Sequence, residues 1–190
     1  MKRLDASFYE RPSPVVARDL LGRVFFRTIG ENLLSARIVE VEAYCGREDP
    51  ASHSYRGRTP RNDVMFGPPG RLYVYFIYGM HFCMNVVTGG EGEAVLLRAM
   101  EAVSGESVML ANRKISSARN LLNGPARCAQ AFDVDLAKNG ASLLEGDFGI
   151  LPGSPVETSL IETTPRIGIT KAADLPLRFF IRGARISGKT

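Results

Sequence analysis

Ser13-Pro14-Val-Val-Ala-Arg-Asp-Leu-Leu21 followed by Gly22 combines a capping hydroxyl, a proline at the first helical position, clustered apolar residues and a terminating glycine. This pattern predicts a short helix. Val24 to Arg27 and Leu34 to Tyr44 read as strands. In the second, Ile38, Glu40, Glu42 and Tyr44 alternate with Arg37, Val39, Val41 and Ala43, so a period of two assigns the sets to opposite faces. Periodicity is lost over residues 45–70, which are polar and rich in Gly, Pro and Arg. Loops beyond about 15 residues in a compact domain are usually functional or disordered, which makes this segment a candidate site. Leu72 to Val87 carries two β-prone runs hinged near Gly79 and predicts a hairpin. Ala94 to Met100 is a further strand, apolar except for Arg98. Residues from Glu106 to Leu122 are expected to be mainly helical, Gly124-Pro125 opens another short helix, residues 131–162 are loop-rich, and Leu177 to Arg182 returns to strand. No internal repeat or linker interrupts the chain. Residues 1–190 are therefore expected to form one α+β domain with a largely antiparallel sheet.

With 190 residues, 45% of them apolar and 23% charged, the chain fits an ordinary globular domain and excludes collagen, coiled coil and wholesale disorder. Nothing approaches the roughly 18 consecutive apolar residues of a membrane span. After Lys2 and Arg3 the chain runs directly into Asp5 and Glu10, without an apolar signal core. Cys45, Cys83 and Cys128 are an odd set without paired spacing and suit a reducing compartment. A soluble, cytoplasmic protein is expected. The net charge of +4 hides two asymmetries. The basic set is 19 Arg and only 5 Lys, and residues 131–162 carry −5, which leaves +9 on the rest. Guanidinium forks bind phosphate and stack on bases, although a coding bias toward Arg produces the same total. Position is more informative. Residues 54–81 interleave Arg56, Arg58, Arg61 and Arg71 with tyrosines against Asp63 alone, a pattern that suits a nucleic-acid strand.

The last eight residues, Gly183 to Thr190, match the phosphate-loop pattern letter for letter. That motif needs a following helix to present its N–H groups to phosphate, so no nucleotide cofactor is inferred. Cys45, His53, His81 and Cys83 are the clustered soft ligands, but they lack a metal-ligand spacing, and no metal is inferred. Glu40 and Glu42, roughly 6–7 Å apart on one strand face with Ile38 and Tyr44, are more suggestive. Two acids beside apolar groups are a setting in which a carboxyl works as an acid or base near neutrality, whereas on an edge strand they would simply pair with arginines. Spacing leaves open which acid performs the chemistry. Tyr73 and Tyr75 share a face, and Tyr78 sits at the hairpin turn, where its ring is placed either to pack inward or to wedge between bases.

The segments Arg37-Ile-Val-Glu-Val-Glu-Ala-Tyr44, Ala51-Ser-His53-Ser, Thr59-Pro-Arg-Asn62, Met65-Phe66, Leu72-Tyr-Val-Tyr-Phe-Ile-Tyr-Gly-Met80 and Phe82-Cys-Met-Asn85 occur in fixed order. Val95-Leu-Leu-Arg98, Asn123-Gly-Pro125, Arg166-Ile-Gly168 and Pro176-Leu-Arg-Phe179 continue the series. Together they closely resemble the alkyladenine (3-methyladenine) DNA glycosylase family over nearly the whole chain. The resemblance implies a curved, roll- or barrel-like sheet flanked by helices, with a protruding hairpin that enters DNA. It also implies a monofunctional enzyme of base excision repair that needs no cofactor, acts as a monomer on damaged double-stranded DNA, and releases alkylated or deaminated purines such as 3-methyladenine, 7-methylguanine, hypoxanthine and ethenoadenine. Carried over by position, Glu42 is the general base, chosen over Glu40, and Arg98 with the Ile167 carbonyl holds the attacking water. Tyr44 stacks on one side of the flipped base, and His53 with Tyr75 on the other. The His53 backbone N–H meets the base edge, Asn85 crowds the exocyclic amine of guanine, Tyr78 fills the gap in the duplex, and Arg56, Arg58, Arg61 and Arg127 meet the DNA backbone. Cys45 and Tyr55 depart from the family pattern and bear on substrate range. One feature supports water as nucleophile independently. Glycosylases that also cut the backbone use an amine, and no lysine lies between residues 3 and 113.

Overall fold

A computed structural model describes residues 2–77 and 79–188. The first predicted helix forms as α2 (Ser13–Leu20), with Pro14 in its first turn and Val16, Ala17 and Leu20 buried. A single turn, α1 (Ala6–Tyr9), precedes it and is capped by Asp5, which accepts the Phe8 N–H. Two strands follow, β1 (Val24–Ile29) and the 14-residue β2 (Asn32–Cys45). β2 is the spine of the sheet. Along one edge it pairs with β5 (Glu93–Ser104). Along the other it pairs first with β1, over Asn32 to Arg37, and then with β8 (Arg178–Ile181), over Glu40 to Glu42. Register shifts beside Ser35 and on both sides of Glu40 bend β2 where its partner changes.

The predicted hairpin forms from β3 (Leu72–Ile77) and β4 (His81–Val87) and extends the sheet beyond β5. Short strands β6 (Phe148–Leu151) and β7 (Ile161–Thr164) add to β1 and β8, giving eight antiparallel strands among the described residues, with the main order β3-β4-β5-β2-β1-β6. The α+β class and the antiparallel sheet are as expected. Among the described residues the sheet does not close on itself. Its β3 edge is covered by another stretch of chain: the Leu72 N–H donates to the Ala141 carbonyl, the Gly140 N–H to the Leu72 carbonyl, and the Val74 N–H to Asn139 Oδ1. Such covering satisfies an edge as well as closure does.

The structure refines two expectations. The mainly helical stretch from Glu106 to Leu122 is broken after α3 (Glu106–Arg113), because Lys114 adopts a left-handed conformation (φ 52°) and the Ile115 N–H turns back to the Leu110 carbonyl, and it resumes as a 3-10 turn at Ala118–Asn120. The loop-rich acidic segment also contains β6 and the start of β7. The helix opened by Gly124-Pro125 forms as α4 (Pro125–Ala131) and packs on β4 and β5. Buried Cys128 of α4 donates its thiol to the Arg98 and Leu122 carbonyls, tying the helix to the strand that carries Arg98. A core including Phe25, Ile38, Val41, Leu97 and Phe132 lies against the sheet, each side chain contributing about 1.5–3 kcal/mol by burial. Among the described residues, no helix is long and apolar enough to cross a membrane.

Candidate active site

Antiparallel register assembles the site. Residues directly opposite one another share a face, and Tyr73 of β3, Asn85 of β4, Leu96 of β5, Glu42 of β2 and Arg178 of β8 are paired in one row across the sheet. Two residues along, Tyr75 faces Cys83 and Arg98 follows Leu96. Of these, Tyr73, Tyr75, Cys83, Asn85, Leu96 and Arg98 floor a cavity of about 420 Å³, walled by Tyr44, His53, Met65, Pro125, Ala126 and Ile167. The volume lies in the range of small-ligand sites. Thus Tyr44, His53, Tyr75, Asn85, Arg98 and Ile167, widely scattered in sequence, line one cavity.

Glu42 lies behind that lining and is fully buried. Its Oε2 accepts from the Tyr44 hydroxyl at 3.0 Å and from Arg98 Nη1 at 3.0 Å, and its Oε1 accepts from the Ile167 backbone N–H at 2.8 Å. The Ile167 contact to this carboxylate is therefore its N–H. Glu40, also fully buried, accepts from Arg98 Nε, Arg178 Nε and both the N–H and hydroxyl of Ser187. The expectation of two acids facing apolar neighbours is corrected here, because each is surrounded by cations and donors and Arg98 stands between them. Burial works against the Arg98 cation, but the Glu42 and Glu40 charges outweigh it and hold its pKa above the ordinary value.

One wall of the cavity is aromatic. His53 Nδ1 and the Tyr73 hydroxyl are 2.9 Å apart, and the imidazole stands edge-on to Tyr75 with ring centroids 4.5 Å apart. The residue as a whole is exposed, yet its ring is packed among these groups. That desolvation, reinforced by the charge of Arg61, lowers the His53 pKa, so the ring is neutral at pH 7. Burial pushes the Tyr73 phenol up to about 12, and Tyr44 and Tyr75 also lie above their ordinary value, chiefly through burial. Asn85 is fixed by donating to the Tyr73 carbonyl at 3.0 Å. The polar segment after β2 is ordered by Gly46 and Asn62. Gly46 starts it with a φ of +63°, and a Cβ there would collide with the Glu91 carbonyl oxygen. Asn62 donates to the His53 and Gly57 carbonyls.

Two buried ion-pair groups, whose partners sequence reasoning did not connect, support the site. Arg166 is bidentate to Asp49, donates to the Ala43 carbonyl at 3.0 Å, and lies 4.6 Å from the centre of the Tyr44 ring. It connects the Ile167 wall to the segment leading to His53. Burial raises the Asp49 carboxyl, but the Arg166 hydrogen bonds, the Ala51 N–H and the Arg166 charge together leave its pKa lowered. The second group is Glu40 with Arg178 and Ser187. Neither could be found from local spacing, since the partners lie 117 to 147 residues apart. Among the described residues no group of three or more His, Cys, Asp or Glu is placed to hold a metal ion.

A family model for methylpurine-DNA glycosylases (MPG) matches residues 7–185. The chain belongs to this family. Its members hydrolyse N-glycosyl bonds in DNA repair. Three relatives provisionally assigned as 3-methyladenine DNA glycosylases align over nearly their whole lengths. The protein of Methanoculleus marisnigri is 51% identical over 188 residues, covering 96% of each chain. That of Carboxydothermus hydrogenoformans is 48% identical over 189 residues, covering 98% of each. That of Streptomyces avermitilis is 48% identical over 187 residues, covering 94% of this chain and 87% of its own.

The arginines expected to meet the DNA backbone in such a glycosylase are not equivalent. Arg56 and Arg61 are exposed, and Arg61 reaches the Phe76 carbonyl of the hairpin at 3.4 Å. Arg58 is paired with Asp63, so part of its charge is already answered. Arg127 donates to Asn123 at 2.7 Å beside Arg113, and burial together with the Arg127 charge lowers the Arg113 pKa. Local spacing could not reveal this second basic cluster, because α3 and α4 meet only in the fold. Tyr78, the expected wedge, lies outside the described residues.

Proposed function

We propose that this glycosylase flips an alkylated purine out of double-stranded DNA and hydrolyses its N-glycosidic bond with an activated water, leaving an abasic site. The observation that carries this reading is a buried carboxylate, Glu42, wired to Arg98 at the back of an aromatic cavity of purine-binding size. Oε2 accepts two hydrogen bonds and Oε1 only one, from Ile167, which leaves Oε1 with the free lone pair. Oε1 is the atom that takes the proton of the attacking water. As the bond breaks, positive charge develops on the sugar, and the nearby carboxylate stabilises it. The flipped base stacks between Tyr44 and the His53–Tyr75 pair. A neutral His53 places no cation against a positively charged alkylpurine, while the electron-rich tyrosine faces attract one. Asn85, anchored by the Tyr73 carbonyl, crowds the exocyclic amine of guanine. Hypoxanthine and ethenoadenine are neutral and depend more on edge contacts such as the His53 backbone N–H.

Arg56, Arg61 and Arg127, with Arg58 to a lesser degree, meet DNA phosphates, and Tyr78 fills the space vacated by the flipped base. The chain acts as a single glycosylase domain and a monomer in the cytoplasm, without lyase activity. The deciding experiment is single-turnover release of 3-methyladenine and hypoxanthine from duplex oligonucleotides. Release of the alkylated base by the natural sequence, abolished in Glu42→Gln, supports the reading; no release, or full activity in Glu42→Gln, overturns it. Tight binding to an abasic duplex with no base release would instead indicate a damage-binding protein without turnover.

A further inference from the structure

The C-terminal segment carries a phosphate-loop-like sequence, yet its backbone is used inside the protein. The Ser187 N–H donates to Glu40 Oε2 at 2.6 Å, its hydroxyl lies 2.9 Å from Glu40 Oε1 and 3.1 Å from Arg98 Nε, and its carbonyl accepts from Arg178 Nη2. Ser187 is buried, and all three of its polar groups are engaged in one ion-pair network. Arg98 is held at two points, its Nε by Glu40 and Ser187 and its Nη1 by Glu42. A guanidinium is a rigid plane, so fixing Nε sets where Nη1 points. Arg98, Pro125 and Ala126 line the aromatic cavity, whereas Ser187 lines a neighbouring groove with Arg98 and Arg127. Ser187 is therefore one step removed from bound base.

We propose that Ser187 and Glu40 form a latch by which the C-terminal segment positions Arg98 against Glu42, with Glu40 acting as counter-anchor and not as a second base. This rests on the reading of Glu42 as the water-activating carboxylate. The latch does two things. Its hydrogen bonds fix the Arg98 plane, and the Glu40 charge takes up part of the Arg98 charge, so that Arg98 orients Glu42 without suppressing its capacity to accept a proton. The groups facing Glu42 are Arg98 of β5, Tyr44 of β2 with Arg166 beyond its ring, the Ile167 N–H and, by its field, Cys83 of β4; Glu40 and Arg178 act through Arg98. With Arg166 already answered by Asp49, Glu40 is the one further carboxylate bonded to Arg98 among the described residues.

The test uses the full chain, duplex DNA carrying 3-methyladenine, and the variants Ser187→Ala, Ser187→Thr and Glu40→Gln. Ser187→Ala is expected to lower the saturating single-turnover rate about 10-fold, the effect of losing hydrogen bonds to a charged group. DNA affinity should stay within about 2-fold, since the rate and not the phosphate contacts is affected. Ser187→Thr keeps the hydroxyl and should restore most of the rate. Glu40→Gln leaves Arg98 balanced by Glu42 alone, so the acid limb of the pH–rate profile should move to lower pH with a reduced plateau. A purely structural role for the tail would leave that limb in place. The latch is overturned if Ser187→Ala reacts at the natural rate, if its loss of rate is matched by an equal loss of DNA affinity, or if Glu40→Gln folds and keeps the natural pH profile. Should Glu40→Gln fail to fold, the Ser187 pair decides alone. Failure of the natural sequence to release base would sink the glycosylase reading itself and is a separate outcome.

Discussion

Asp49→Asn tests the buried pair that joins two walls of the cavity. In the natural chain Arg166 has an exposed fraction of 0% and Asp49 of 1% at the side chain, so neither charge is answered by solvent. Removing the carboxylate leaves Arg166 with the Ala43 and Ala172 carbonyls and a neutral amide, and that amide keeps only part of the bonding to the Cys45 and Ala51 N–H groups. Breaking a buried pair from one side costs about 3–5 kcal/mol. At roughly 2–4 °C per kcal/mol for a chain of this size, Tm should fall by roughly 6–20 °C in a thermal melt at pH 7. The sign of the pH dependence is also fixed. Because the folded-state pKa of Asp49 is lowered, the pair stabilises the protein above the unfolded carboxylate pKa, and that contribution is lost as pH falls through the folded one. The difference in Tm between the natural chain and Asp49→Asn should therefore narrow on acidification below about pH 4. An unchanged Tm at pH 7, or a gap that widens in acid, would refute the reasoning.

Glu42→Gln should lower single-turnover base release by at least about 10²-fold while DNA binding persists, since Arg98 keeps Glu40 as a partner. In that binding-competent variant, lowering pH through the depressed His53 pKa places an imidazolium in the cavity. Affinity for a duplex with cationic 7-methylguanine should then weaken more than affinity for one with neutral hypoxanthine, and equal weakening would count against a stacking role for His53. Arg127→Gln should reduce the slope of log affinity against log salt by about 1, and Arg58→Gln, already paired with Asp63, by clearly less. Fluorescence anisotropy titrations between low and physiological salt distinguish the two. Tyr73→Phe removes the hydroxyl that holds His53 Nδ1 and should raise KM for alkylated duplex several-fold with little change in the saturating rate.

Alternation along β2 is enough to place Glu40, Glu42 and Tyr44 on one face, and the hairpin of β3 and β4 is legible from its β-prone runs and Gly79. These are local features, set by side-chain period and turn chemistry. The stop of α3 at Lys114 is not legible, because a left-handed residue there is fixed by hydrogen bonds back to Leu110 and Ala111. The open sheet escapes local reading for a related reason: residues 139–143, remote in sequence, cover the β3 edge.

By itself the sequence determined the family, the two candidate carboxylates, the tyrosine-rich hairpin and the concentration of arginine around the polar segment. Motif order and residue type carry those without knowledge of distance. Only the tertiary structure decided that Arg98 stands between Glu40 and Glu42, that Arg166 and Asp49 brace Tyr44, and that Ser187 serves the ion-pair network in place of phosphate. Antiparallel register and chain crossings bring together groups far apart in sequence, and a buried charge is tolerable only when such distant partners arrive to answer it.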